Sequence, residues 1–361
     1  MNIGIDARPL EGTQTGTARY IVEICRMLQE VAPQHQYYLY AQTEFEPPVD
    51  ALNWHLRIDS LSKRRPLMSL LWLKLRAHRL VNADNLQVFW AAGSFYPQLH
   101  PSVRRVITVH DLTMELFPTT MAWQTLLGYR LFFRSDLRSS DGVTVNSVGT
   151  ADRLLSLTGH RTDVVVHPPV AEAFLRASEV TEQQVEAYRK QQGLTGRYVL
   201  AVGTQEPRKN LALLLDAMQV VQKELPEVKL VLTGAKGWKA GELQQRLVAA
   251  EPAPHLTGFV SDHDLICLYR GAAVFAFPSI YEGYGIPVSE ALHCGTPVLA
   301  TDLPELREAG GSACRYVAPT VEGLAKGLKD ILDDAPTTLE PVIYHWHSEV
   351  TQLARLLEGH T

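Results

Sequence analysis

The chain has 361 residues, 46% hydrophobic and 20% charged, enough apolar material for two domains with cores of ordinary size. Its formal net charge of -5 excludes the global basic field of a nucleic-acid binder, and no apolar run approaches the roughly 18–20 residues that span a bilayer. Cys25, Cys267, Cys294 and Cys314 form no CxxC pair and have no ligand spacing with histidines, which argues against a disulfide framework or structural zinc and fits a reducing cytosol. The charge is uneven: residues 1–175 hold 17 Lys+Arg against 16 Asp+Glu, and the rest hold 17 against 23.

The N-terminal NIGID (2–6) reads as a strand and loop, not as a signal peptide. Short apolar runs then alternate with amphipathic stretches, the pattern of βαβ units and parallel sheets. Strands are predicted at 36–41, 87–91, 104–110, 142–146 and 163–167, with helices at 17–31, 66–81, 122–139 and 148–157. The Pro-Pro pair within VHPPVAEAFLRASEV (166–180) breaks the pattern and predicts the hinge. A second series follows, with strands at 197–203, 229–234, 274–279 and 297–302 and helices near 210–223, 241–250, 262–271 and 287–294. The expected fold is α/β, two Rossmann-like doubly wound domains facing across a cleft. Residues 1–170 form the first domain and 171–345 the second, and a helix over 346–361 crosses back to the first.

Three segments sit where open α/β sheets bind ligands, at carboxyl ends of strands. In YEGYGIPVSE (281–290), Gly283 and Gly285 permit close backbone approach, Pro287 suits a first helical turn, and Gly295 ends the helix. A helix N-terminus favours a bound diphosphate, and carboxylates such as Glu282 and Glu290 accept hydrogen bonds from sugar hydroxyls. In GTQEPRKN (203–210), Arg208 and Lys209 are fixed cations suited to charge developing on a leaving phosphate, and Asn210 is a candidate helix cap. His110 and Asp111 end a strand of the first half, where a lone histidine is more often structural. The loop Glu11–Thr17 spaces Gly12 and Gly16 as GxxxG, not as the GxGxxG of a dinucleotide-dependent oxidoreductase. Asp262-His263-Asp264 has the form of a metal-binding DxD, but Ser261 followed by Asp264 reads better as a capping box, so no metal or other cofactor is expected. Lys63-Arg64-Arg65-Pro66 followed by Leu67, Leu70, Leu71, Trp72 and Leu75 fits either a helix on an anionic membrane or an ordinary half-buried helix.

These motifs together resemble glycosyltransferase family 4, the retaining group with the GT-B fold, and the resemblance runs from the glycine loop to ATDLPELREAGG (300–311). It implies that Glu282 contacts the donor sugar, that Glu290 holds the ribose, and that amides of Gly283, Tyr284, Gly285 and Ile286 hold the diphosphate with Arg208 and Lys209. It implies further that His110 touches the donor sugar, that Phe259 and Val260 meet the nucleobase through their main chains, and that Gly12, Gly16 and Thr204 line the donor site. Thr204 stands where some members carry an arginine, which leaves Arg208 and Lys209 as the main cationic partners. Asp111 is a candidate for orienting the acceptor. The wording most resembles bacterial mannosyltransferases of polysaccharide and O-antigen assembly, which implies GDP-mannose as donor and a saccharide or lipid-linked saccharide as acceptor. It also implies a cytoplasmic location or peripheral contact with the inner face of the membrane. The alternatives are a transferase using UDP-glucose, UDP-N-acetylglucosamine or dTDP-rhamnose, a sugar epimerase on the same fold, a scaffold with a decayed donor site, and the oxidoreductase.

Overall fold

The computed structural model describes all residues except 13–14, 60–65, 239–240, 335–340, 343 and 361, and leaves the side chains of Pro66 and Leu67 undescribed. The basic run 63–65 and the loop residues Thr13 and Gln14 therefore lie outside the described residues. The chain divides into two compact units, Met1–Pro169 with Tyr344–Thr361, and Val170–Ile343.

The first unit holds β1 (Asn2–Asp6), β2 (Gln36–Ala41), β3 (Trp54–Ile58), β4 (Val88–Ala91), β5 (Arg104–Val109), β6 (Gly142–Val145) and β7 (Val164–Val165). They form one parallel sheet in the order β3-β2-β1-β4-β5-β6-β7. Central strands such as β4 bury apolar side chains on both faces because both faces are covered. Along β4, Val88 and Trp90 join the core under helix Gly16–Val31, whereas Phe89 and Ala91 join the core on the opposite face. Thr15 caps the start of that helix, accepting from the amide of Ala18, and Ile21, Ile24 and Leu28 form its buried stripe. Helix Trp346–Glu358 packs on the same face through Val350, Leu353 and Leu357.

The helix predicted over 66–81 is two helices, Pro66–Leu75 and His78–Val81. The amide of Ala77 bonds to the carbonyl of Trp72, five residues back, which ends the first of them. Leu70 and Trp72 are buried and Leu71 is half-buried, so most of the segment's apolar residues belong to the core; Leu75 remains exposed. Among the described residues no helix is long and apolar enough to cross a membrane.

The second unit holds β8 (Tyr198–Val202), β9 (Lys229–Thr233), β10 (His255–Gly258), β11 (Val274–Phe277), β12 (Val298–Thr301) and β13 (Cys314–Val317). Their order, again parallel, is β10-β9-β8-β11-β12-β13. Both sheets are Rossmann-like, and the strand order reverses between β1 and β4 in one and between β8 and β11 in the other. Crevices that bind ligands form at such switch points, outside the strands' carboxyl ends.

Candidate active site

At the switch point of the second unit, β8 runs into Gly203 and then a short 3-10 turn, Pro207–Lys209. Gly203 has φ of 141° and Gly234, which follows β9, has 135°; a Cβ on Gly234 would stand 2.2 Å from the carbonyl oxygen of Gly203. Only glycine fits there, since backbone meets backbone and the left-handed region disfavours side chains. Gly203 donates to Thr233 and Gly234 donates to Gly258 at the end of β10, so three neighbouring strand ends are laced together. Thr204, Phe259 and Val260 stand directly beyond these ends, with Phe259 57% exposed.

From β11 the chain passes through a buried loop, Tyr281 to Gly285, into helix Ile286–His293. Gly285 (φ 116°) is the N-cap and Pro287 lies in the first turn. A Cβ on Gly285 would be 2.6 Å from Leu306. Among the described residues no side chain caps this helix start, and Gly295 (φ 76°) follows its end.

The two loops meet in an ion cluster. Arg208 Nη1 donates to Glu282 Oε2 at 2.5 Å and to the carbonyl of Tyr281 at 2.9 Å, while its Nη2 donates to Glu206 Oε1 at 2.7 Å. Lys209 Nζ donates to Glu282 Oε1 at 2.7 Å and lies 4.9 Å from the centre of the Phe277 ring. Burial pushes the Glu282 carboxyl up, but the charges of Arg208 and Lys209 outweigh it and hold its pKa at about 2. Burial drives the Lys209 ammonium in the opposite sense, below its usual value, against the pull of Glu282.

Sequence reasoning assigned Glu282 and the cations to different parts of a ligand, whereas here one carboxylate occupies both cations. It also missed Glu206, which is buried and steadies Arg208; its position inside the EPRKN motif was the available signal. Gly234 was missed as well, although it follows its strand as Gly203 does. Glu290 is buried on helix Ile286–His293 and accepts from the hydroxyl of Tyr269 at 3.3 Å.

Asn210 occupies the N-cap position of the helix that follows but does not cap it through its side chain. It sits in the left-handed region (φ 53°), closing the 3-10 turn, and its side chain makes no capping bond. Ser261 is a working N-cap, accepting from the amide of Asp264 at 3.2 Å. Among the described residues no group of three His, Cys, Asp or Glu side chains could hold a metal ion.

In the first unit, His110 follows β5 and its Nε2 lies 2.6 Å from the carbonyl oxygen of Ala92. A carbonyl only accepts, so Nε2 carries the proton and Nδ1 of the neutral ring is left as an acceptor. Burial lowers the pKa of this ring, which keeps it neutral at pH 7. Tyr20 packs edge-on against it. Asp111 accepts from the amide of Thr113 at 2.8 Å, a local turn bond. Gly12 has φ of 81° and Gly16 opens helix Gly16–Val31.

Residues 184–342 match the family model for Glycosyl transferases group 1. The chain is 27% identical over 349 residues to O-antigen chain mannosyltransferase B of Escherichia coli, an alignment covering 92% of this chain and 91% of that one. It is 25% identical over 269 residues to O-antigen chain mannosyltransferase RfbU of Salmonella typhimurium, covering 72% and 69% respectively. Among solved structures it resembles WaaG, a glycosyltransferase involved in lipopolysaccharide biosynthesis, with a TM-score of 0.73 at 16% identity over 99% of this chain and 100% of that one. The chain is therefore a glycosyltransferase of two Rossmann-like domains with the GT-B fold, and it resembles bacterial mannosyltransferases.

Proposed function

We propose that the protein transfers mannose from GDP-mannose, with retention of anomeric configuration, onto a saccharide or lipid-linked saccharide during surface polysaccharide assembly. The names of the relatives similar over most of the chain support the sugar and the pathway. The observation that carries the chemistry is the sharing of Glu282 between Arg208 and Lys209. A diphosphate entering at this switch point takes over both cations, and Glu282, released from them, accepts hydrogen bonds from the donor sugar. The uncapped start of helix Ile286–His293 supplies further positive potential, and Glu290 reads the ribose.

In the reaction the bond between the anomeric carbon and the phosphate oxygen breaks, and a bond to the acceptor oxygen forms on the same face. The acceptor's proton passes to the departing phosphate. Arg208 and Lys209 stabilise the charge that develops there, the task a metal performs elsewhere, so the reaction is metal-independent. His110, neutral and accepting through Nδ1, is placed by this reading against a sugar hydroxyl.

The acceptor end of the reading includes peripheral contact with the inner membrane face. Helix Trp123–Arg138 exposes Trp123, Leu127 and Leu131 at spacings of four, with Arg130, Arg134 and Arg138 on the same side. Such a face suits an anionic lipid surface. The test is transfer from a panel of sugar nucleotides to octyl α-mannoside, with the product's anomeric configuration read by NMR. GDP-mannose should give an α-mannoside; transfer from UDP-sugars alone, or an inverted product, overturns the reading.

A further inference from the structure

At the switch point of the first unit, Asp6 ends β1 and is fully buried. Two residues on, Arg8 grips it with both arms of a fork: Nε to Oδ1 at 2.7 Å and Nη2 to Oδ2 at 2.6 Å. On the facing strand, β4 gives way to Gly93 and Ser94. A Cβ on Gly93 would stand 2.6 Å from Asp6 Oδ2, so the β4 loop presses its backbone on the carboxylate. Ser94 holds a left-handed conformation (φ 69°) rare for a residue with a side chain, pinned by its hydroxyl donating to Thr108 O at 2.7 Å. The neighbouring strand, β5, leads to His110, which is tied to Ala92 of the same β4 loop. Arg8, Ser94 and His110 thus follow three adjacent strands.

A buried ion pair loses much of its Coulomb energy to desolvation, and an apolar pair of similar volume often serves stability as well. The Arg8 side chain is 10% exposed, and its Nη1 bonds to no described residue and is not enclosed, so the gripped guanidinium keeps one donor open to a ligand. The second buried cation at this edge is different. Lys74 gives its donors to Asp136 and to the carbonyl of Tyr96.

We propose that Arg8 determines acceptor specificity, donating from Nη1 to a hydroxyl oxygen of the acceptor saccharide. The inference rests on the proposed transfer to a saccharide and adds the residue that reads it. The ligand class follows from charge. Asp6 offsets Arg8 and Asp136 offsets Lys74, so these four groups offer no net positive field for a phosphate, while a rigid, polarised N–H suits a neutral hydroxyl.

Two variants test it, each with octyl α-mannoside as acceptor at saturating GDP-mannose. Arg8→Lys keeps the charge but loses the planar fork. The double variant Arg8→Gln with Asp6→Asn removes both charges together, so no buried ion is left unpaired. Acceptor KM should rise about ten- to a hundredfold, the effect of losing one charged hydrogen bond. Affinity for GDP, read by titration calorimetry, should stay within about twofold. An acceptor KM unchanged in folded variants, or one that rises only in step with a weakened GDP affinity, overturns the assignment of Arg8. Absence of transfer by the wild-type protein from every sugar nucleotide overturns the proposed function, and this inference with it.

Discussion

The two sheets share a topology up to their switch points, yet their buried charges are arranged differently. In the second unit the cations and their carboxylate come from opposite sides of the crevice: Arg208 and Lys209 follow β8, and Glu282 follows β11. In the first unit Asp6 and Arg8 belong to one strand end, two residues apart. A pair bridging two loops can open when a ligand enters between them, while a pair within one turn stays closed and holds its arginine in place. On the proposed reading, two instances of one fold thus provide an exchangeable anion site and a fixed hydrogen-bond donor.

Removing the bridging cations should have the largest effect. Arg208→Ala and Lys209→Ala should each lower turnover by on the order of a hundredfold, as loss of a transition-state charge partner does, measured at saturating donor and acceptor. Arg208→Ala should also lower the melting temperature, because it leaves Glu206 without its arginine partner. Near-wild-type turnover in both would dissolve the contrast between the units. Excess EDTA should leave activity intact; full loss restored by manganese or magnesium would show that a metal performs the cations' task.

The bridging pair also has a pH signature. The folded pKa of Glu282, about 2, lies below the roughly 4.3 of an unfolded glutamate, so its stabilisation is present above about pH 4.3 and is lost as pH falls through about 2. The melting-temperature difference between wild type and Glu282→Gln should therefore shrink across that window. A difference flat down to pH 2 would contradict the pairing. The smallest effect expected is at Ser261, where Ser261→Ala should cost about 1 kcal/mol in denaturant unfolding as a lost N-cap and leave turnover unchanged.

Much of the fold was legible in the sequence because central strands are apolar on both faces. The strands that escaped, β3 (Trp54–Ile58), β10 (His255–Gly258) and β13 (Cys314–Val317), lie at sheet edges, and their residues are mostly half-buried. A half-covered strand needs no continuous apolar run, so WHLRI gave no clear signal. Helix Val321–Asp333 was written in the spacing of Leu324, Leu328 and Leu332 but was not among the predicted helices. At the site, glycine and charge motifs located the loops; partners could not be read, because the contact of Arg208 with Glu282 spans 74 positions and depends on β8 lying beside β11. Asp6 and Arg8 form no motif, and only the return of the β4 loop distinguishes them.

The central claim is that Glu282 holds the two cations that the donor's diphosphate takes over. Titration calorimetry of bare GDP against wild type and Glu282→Gln tests it most directly. With no ion pair to break, the variant should bind GDP at least as tightly as wild type, with a gain of up to about tenfold, or about 1.4 kcal/mol, while turnover of GDP-mannose falls. Weakening of GDP binding by tenfold or more in a folded Glu282→Gln variant would contradict the exchange.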